Sequence, residues 1–214
     1  MVTRILTLLA AFLLSACGSI PDVRNEYQGP DAGRVAIGIG ASADTHYSSY
    51  SLNFRKVGEK DAEPNRFVYF QHNEFSAQKR DYDNSVENGV VQSFRLPPGD
   101  YEIFNFDIFL NGGTVQKNFG SRKEFSIPFR VRPNETTYLG NYQANLVMGK
   151  NLFGMSMAAG AVFVVADREK ADIELAKKRL SNVLFGPISN AAPTAQSIAN
   201  PFFVDPSEKP LPPK

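Results

Sequence analysis

The sequence predicts a mainly β domain, an antiparallel Greek-key-type β-sandwich with one C-terminal α-helix and a disordered Pro-rich tail. Three observations lead there. Short stretches alternate apolar and polar residues at the two-residue period of a half-buried strand. Turn residues separate these stretches at close intervals, as in sandwiches and barrels. Seventeen Phe and eight Tyr, with no Trp, supply aromatics that favour strands and pack well between sheets.

The chain begins with one basic residue, Arg4, an apolar run from Ile5 to Leu14, and the small residues Ser15 and Ala16. That is the layout of a secretory signal peptide over residues 1–16. The apolar run is shorter than the roughly 18 residues needed to cross a bilayer. Leu14-Ser15-Ala16-Cys17 resembles the lipobox of bacterial lipoproteins, and the resemblance implies lipidation of Cys17, removal of the leader and acylation of the new N-terminus, palmitate being a typical acyl group. Two or three acyl chains hold a protein on a membrane effectively permanently, at about 0.8 kcal/mol per buried methylene. Cys17 is the single cysteine, so no intramolecular disulfide is available and lipidation accounts for the thiol. Gly18 and Ser19 follow it, and in Gram-negative lipoproteins the lack of an aspartate there implies sorting to the outer membrane, facing the periplasm.

Residues 17–33 are polar, interrupted by Pro21 and Pro30, and read as a tether. The domain is expected over residues 34–185. Its strands are Arg34 to Ala41, Tyr50 to Val57, Arg66 to Gln71, Val90 to Leu96, Tyr101 to Leu110, Thr136 to Leu146 and Met155 to Ala166. The clearest alternation sets Phe125, Ile127, Phe129 and Val131 against Glu124, Ser126, Arg130 and Arg132. Pro128 falls on the outward face of that strand, which places it at a sheet edge, where a missing backbone donor is tolerated. Pro97-Pro98-Gly99-Asp100 and Asn111-Gly112-Gly113 mark turns.

A helix follows, with Asp167 as N-cap and Glu169 in the first turn. Ile173, Ala176, Leu180 and Leu184 form one face, and Lys177, Lys178 and Arg179 complement the dipole at its end. Gly186-Pro187 stops it. Residues 186–214 hold seven of the fourteen prolines and read as an extended tail, able to serve as a recognition segment for an envelope protein.

Leu96-Pro97-Pro98-Gly99-Asp100-Tyr101-Glu102-Ile103 resembles the turn and strand of prealbumin-like and carboxypeptidase-regulatory-like sandwiches. Phe129-Arg130-Val131-Arg132-Pro133-Asn134-Glu135-Thr136-Thr137-Tyr138-Leu139-Gly140 is similar to their next two strands. Bacterial lipoproteins with such domains often close with an acidic helix like Asp167 to Leu180. The resemblance covers about half of the mature chain and implies a fold; no catalytic residue is carried over. Asn134 stands where the related turn usually has glycine.

Motifs with chemical meaning lack their context. Gly38-Ile39-Gly40-Ala41-Ser42-Ala43 fits G-x-G-x-x-A, but Tyr50, Leu52 and Phe54 announce a strand where a phosphate-binding helix is required. Gly154-Met155-Ser156-Met157-Ala158 lacks the last glycine of a nucleophile elbow, and both histidines, His46 and His72, precede the serine. His46 and His72 could join Glu74, Asp81 or Asp83 around zinc, yet their spacing matches no zinc motif. Asp81-Tyr82-Asp83-Asn84 is an incomplete calcium loop and reads as a solvated turn. Tyr47, Tyr50, Tyr69, Phe70, Phe104 and Phe106 could form a sugar-stacking platform, although aromatics at alternating positions are mostly core.

Without the leader the chain carries 22 basic and 22 acidic residues, leaving no basic excess for nucleic acid. The combined expectation is a lipid-anchored envelope protein, a non-enzymatic interaction or structural module without cofactor, held on the membrane through Cys17. The alternative is a binding protein for glycan, peptidoglycan or a small molecule, recognisable by an exposed aromatic cleft; an envelope hydrolase is the third reading.

Overall fold

The protein is described by a computed structural model that covers residues 26–45, 47–59, 65–71, 78–111, 116–150 and 152–208. Cys17, the expected leader over residues 1–16, His46, His72 and Glu74 lie outside the described residues, as do 209–214.

Two sheets pack face to face. One contains β1 (Gly33–Ser42), β4 (Tyr82–Asp83), β5 (Glu87–Leu96), β9 (Thr136–Lys150), β10 (Ser156–Ala166), β11 (Ile188–Asn190) and β12 (Phe203–Val204), in the order β12-β10-β9-β1-β5-β4 with β11 beside β9. The other contains β2 (Ser49–Lys56), β3 (Asn65–Phe70), β6 (Gly99–Asn111), β7 (Gln116–Gly120) and β8 (Ile127–Val131), ordered β3-β2-β6-β7 with β8 also on β6. The chain visits the sheets alternately, so β5, β1 and β9 become neighbours although far apart in sequence, as a Greek-key arrangement requires.

The pairing is not wholly antiparallel. β1 runs antiparallel to β5 and parallel to β9; a parallel pair needs a long crossover, and here the second sheet lies within it. The seven strands expected from alternation and turns form at nearly the expected bounds, and the expected edge strand is β8. Along β8, Ile127, Phe129 and Val131 are buried while Pro128 and Arg130 face out, and among the described residues the strand pairs only with β6. Phe54 stacks on Phe67 at 4.5 Å and Tyr101 on Phe129 at 5.4 Å, joining β2, β3, β6 and β8 in one aromatic core. Tyr101 also donates its hydroxyl to the carbonyl of Pro97, pinning the turn that precedes it.

Helix α1 (Glu169–Arg179) lies on the outer face of the first sheet, where Ile173 packs with Ala36 and Tyr138. Its N-cap is Arg168 rather than Asp167, though the Asp167 carboxylate still accepts from the Glu169 amide. Ile173 and Ala176 are buried as expected, but the third buried residue is Asp172, and Leu184 lies beyond the helix and is exposed. A short apolar stripe leaves room for a polar docking group.

The segment beyond the helix differs from the extended tail expected of it. Over residues 186–208 it forms β11, a short helix α2 (Ala195–Ile198) and β12. Ile198 and Phe203 enter the core, and Phe203 stacks on Phe163 at 5.6 Å. Prolines between these anchors restrict the chain without preventing it from packing. Part of the expected tether is also engaged, since the Tyr27 amide donates to the Arg95 carbonyl and Arg95 donates to Gly29.

Candidate functional site

The sandwich is open along one seam, and the opening follows from how the edge lane of the second sheet is divided. β7 pairs with Asp107–Asn111 of β6, and β8 pairs with Gly99–Ile103. Between them residues 121–126 swing off the ladder. The Ser121 amide donates to the Asn105 side chain, and the Phe125 amide donates to the Phe104 carbonyl, so the detour has a defined path. Opposite, β10 forms the wall of the first sheet, with a bulge between Ala158 and Gly160. The turn after α2, with Ala199 in the left-handed region at φ 51°, brings Pro201 and Phe202 across the lower end.

These walls enclose a cleft of about 950 Å³, at the upper end of the roughly 300–1,000 Å³ typical of small-molecule sites. Phe106, Phe119, Phe125 and Phe202 supply its aromatic lining, and Ala159, Gly160 and Ala161 supply small residues on the β10 side. Phe106 meets Phe202 edge-on at 5.1 Å. The small residues of β10 therefore leave a space in that wall.

The rim is charged. Arg122 and Lys123 are exposed on the detour, and neither forms an ion pair within the described residues. Glu124 is held by Arg55 through two hydrogen bonds, at 3.2 and 2.7 Å, and Arg55 also reaches Glu102 at 2.9 Å. The Arg55 guanidinium lies 4.0 Å over the Phe104 ring. Hydrogen bonding to Glu124 holds the Arg55 pKa above its ordinary value. Arg55, shared between Glu124 and Glu102, thus engages the acid next to the two cations and fastens the detour to the sheet.

A second polar cluster sits beneath α1. Asp172 accepts from the Tyr138 hydroxyl at 2.7 Å and from the Asn141 amide at 3.0 and 3.2 Å. Asn141 accepts from Gln143, which donates also to the Tyr82 hydroxyl. Burial pushes the Asp172 carboxyl above its ordinary pKa, despite the hydrogen bonds from Asn141 and Tyr138. Gly38 and Gly40 form the floor. A Cβ at Gly38 would fall 2.1 Å from Asn141 Nδ2 and 2.6 Å from Asp172 Oδ2, and one at Gly40 would fall 2.8 Å from Tyr82 Oη. At the margin Arg168 pairs with Glu87 and Arg179 approaches Asp81. The cluster is enclosed by the helix, so its chemistry is that of a latch.

Other motifs from the sequence are placed by the same structure. Gly38 to Ser42 lie within β1 and lead to β2, with no helix between them. Ser156 starts β10 after a hairpin loop, the reverse of the strand-to-helix passage of a nucleophile elbow. No group of three or more His, Cys, Asp and Glu that could hold a metal is found among the described residues. Asp81 accepts from the Val91 amide, and Asp83 belongs to β4. Tyr47, Tyr50, Tyr69 and Phe106 are core residues. Burial pushes the Tyr69 hydroxyl up to about 12. Phe104 is covered by Arg55, and Phe70 is half-buried at the end of β3. Of the six aromatics considered for a stacking platform, Phe106 alone lines the cleft. Phe119, Arg122, Lys123 and Phe202 were not singled out by sequence, because their proximity arises from pairing remote segments.

No family model matches the chain, and no curated protein does. A solved structure, of a leucine-rich repeat protein from Bacteroides thetaiotaomicron VPI-5482, overlaps 56% of this chain at 12% identity and a TM-score of 0.31. This chain spans 14% of that protein's length. A likeness at that level carries no argument about this chain.

Proposed function

We propose that this chain is a lipid-anchored cell-envelope binding protein, tethered through Cys17 and without a catalytic role, whose sandwich receives a small, largely apolar ligand in the seam cleft. The carrying observation is the cleft: four phenylalanines converge on an open space at a seam that a fully paired sandwich would close. This is the feature expected of a small-molecule binding protein, the alternative reading of the sequence. The interaction-module reading offered the Pro-rich tail as a candidate recognition segment, and residues 186–208 are engaged with the sandwich. The signal-peptide layout and the single cysteine support an anchored location, outer membrane facing periplasm in a Gram-negative cell.

Two measurements test the two halves. Metabolic labelling with palmitate marks the wild-type protein and leaves Cys17→Ala unlabelled; a wild-type protein that takes no label, or a labelled Cys17→Ala variant, refutes the anchor. The Cys17→Ala chain, purified without detergent, binds the neutral fluorophore N-phenyl-1-naphthylamine saturably, and Ala159→Phe, which fills the exposed wall of the cleft, abolishes the signal. Absence of saturable binding, or binding indifferent to Ala159→Phe, refutes the cleft.

A further inference from the structure

Resting on the reading of the seam as a binding cleft, we infer that its ligand is a single-chain anionic amphiphile of the fatty-acid class, with its chain against the phenylalanines and its carboxylate met by Arg122 and Lys123. Three observations carry this. The lining is mostly apolar, with Phe106, Phe119, Phe125, Ala161, Ile198 and Phe202 beside the polar Asn118, Ser121, Ser126 and Asn200, so an elongated hydrocarbon gains buried area on the phenylalanines.

The rim then selects the head. Arg122 and Lys123 are adjacent and form no ion pair within the described residues, while the neighbouring acid is already engaged by Arg55. Arg122 and Lys123 bring two positive charges to the mouth against the single net negative charge of the Arg55, Glu102 and Glu124 group, and this excess attracts anions toward the cleft. The detour that presents them is fixed at Ser121 and Phe125 by hydrogen bonds to β6. Arg122 and Lys123 thus line the same cleft as its phenylalanines, and an amphiphile satisfies both chemistries at once. A neutral apolar ligand satisfies only the lining.

The test compares cis-parinaric acid, a long-chain fluorescent carboxylate, with its uncharged methyl ester, using the Cys17→Ala chain at low salt. The acid binds about fivefold tighter or more, the discrimination of two exposed charge contacts, and the preference shrinks as salt shortens the screening length. In the double variant Arg122→Glu/Lys123→Glu the preference disappears while the ester binds as before. Circular dichroism of that surface variant matches the parent. Equal affinity for acid and ester, or a preference that survives charge reversal, overturns the anionic assignment and leaves the cleft intact. Failure of both probes to bind saturably overturns the cleft itself. Capture of the double variant by neutral phosphatidylcholine vesicles as strong as that of the parent, with no monomeric probe bound, overturns the single-chain assignment in favour of a bilayer surface.

Discussion

Gly38→Ala is a one-methyl change in the middle of a strand, and its cost measures how tightly α1 is latched to the sheet. In a strand with free space, replacing glycine by alanine stabilises by about 0.4–1 kcal/mol, because the unfolded chain loses freedom. Here the new methyl falls 2.1 Å from Asn141 Nδ2 and 2.6 Å from Asp172 Oδ2. Those atoms bond to each other and to Tyr138, so moving one side chain breaks a charge-assisted contact. Overpacking costs about 1–3 kcal/mol, and a lost hydrogen bond to a charged group costs about 1.5–3 kcal/mol. Set against the entropic gain, the net expectation is a destabilisation of about 1.5–5.5 kcal/mol. Urea unfolding followed by far-UV circular dichroism reads it, since the chain has no Trp. In an Asn141→Ala background, which removes the nearest atoms, the cost of Gly38→Ala falls by more than 1 kcal/mol in a double-mutant cycle. A neutral or stabilising Gly38→Ala, or strict additivity with Asn141→Ala, refutes the latch.

Phe203→Ala is expected to destabilise by about 3 kcal/mol, the lower end for a fully buried phenylalanine, and to expose residues 186–208 to proteolysis. An unchanged urea midpoint would show that this segment does not help hold the sandwich together. The Asp172 carboxyl, raised by burial, gives stability its own pH dependence. Its contribution is fully present below the unfolded value near 3.8 and is lost as pH rises through the raised folded value, because the buried carboxylate must then ionise. Asp172→Asn removes that fall, so the stability of wild type minus variant declines with rising pH in this window. A difference that stays level or climbs would show that Asp172 is not raised.

Much of the sandwich was legible because its signals are local. Alternation in β8 identified which side chains are buried and, through Pro128, that the strand is an edge. Asn134 was marked as occupying a position usually held by glycine, and its φ of 58° lies in the left-handed region, which asparagine enters more readily than most residues. The short strands β4, β11 and β12 escaped notice because two or three residues cannot display a period. The role of Asp172 was hidden for another reason. A carboxylate in the first turn of a helix ordinarily complements the dipole from the surface, and only the bare floor at Gly38 lets this one sink.

What the amino-acid sequence determined by itself was the class of fold, the main strands, the single long helix and the expectation of an envelope address centred on Cys17. Each follows from covalent order: strand period, turn chemistry, helix-end charges and a leader-like layout are all written within a few tens of residues. The tertiary structure decided the rest. It set β1 parallel to β9, drew Phe203 from a proline-rich segment into the core, converted a glycine motif into the floor of a polar latch, and assembled the cleft from β6, β7, β10 and the turn after α2. Those features depend on which remote surfaces meet, and that is settled by burial and steric fit over the whole sandwich, with no local pattern to announce it.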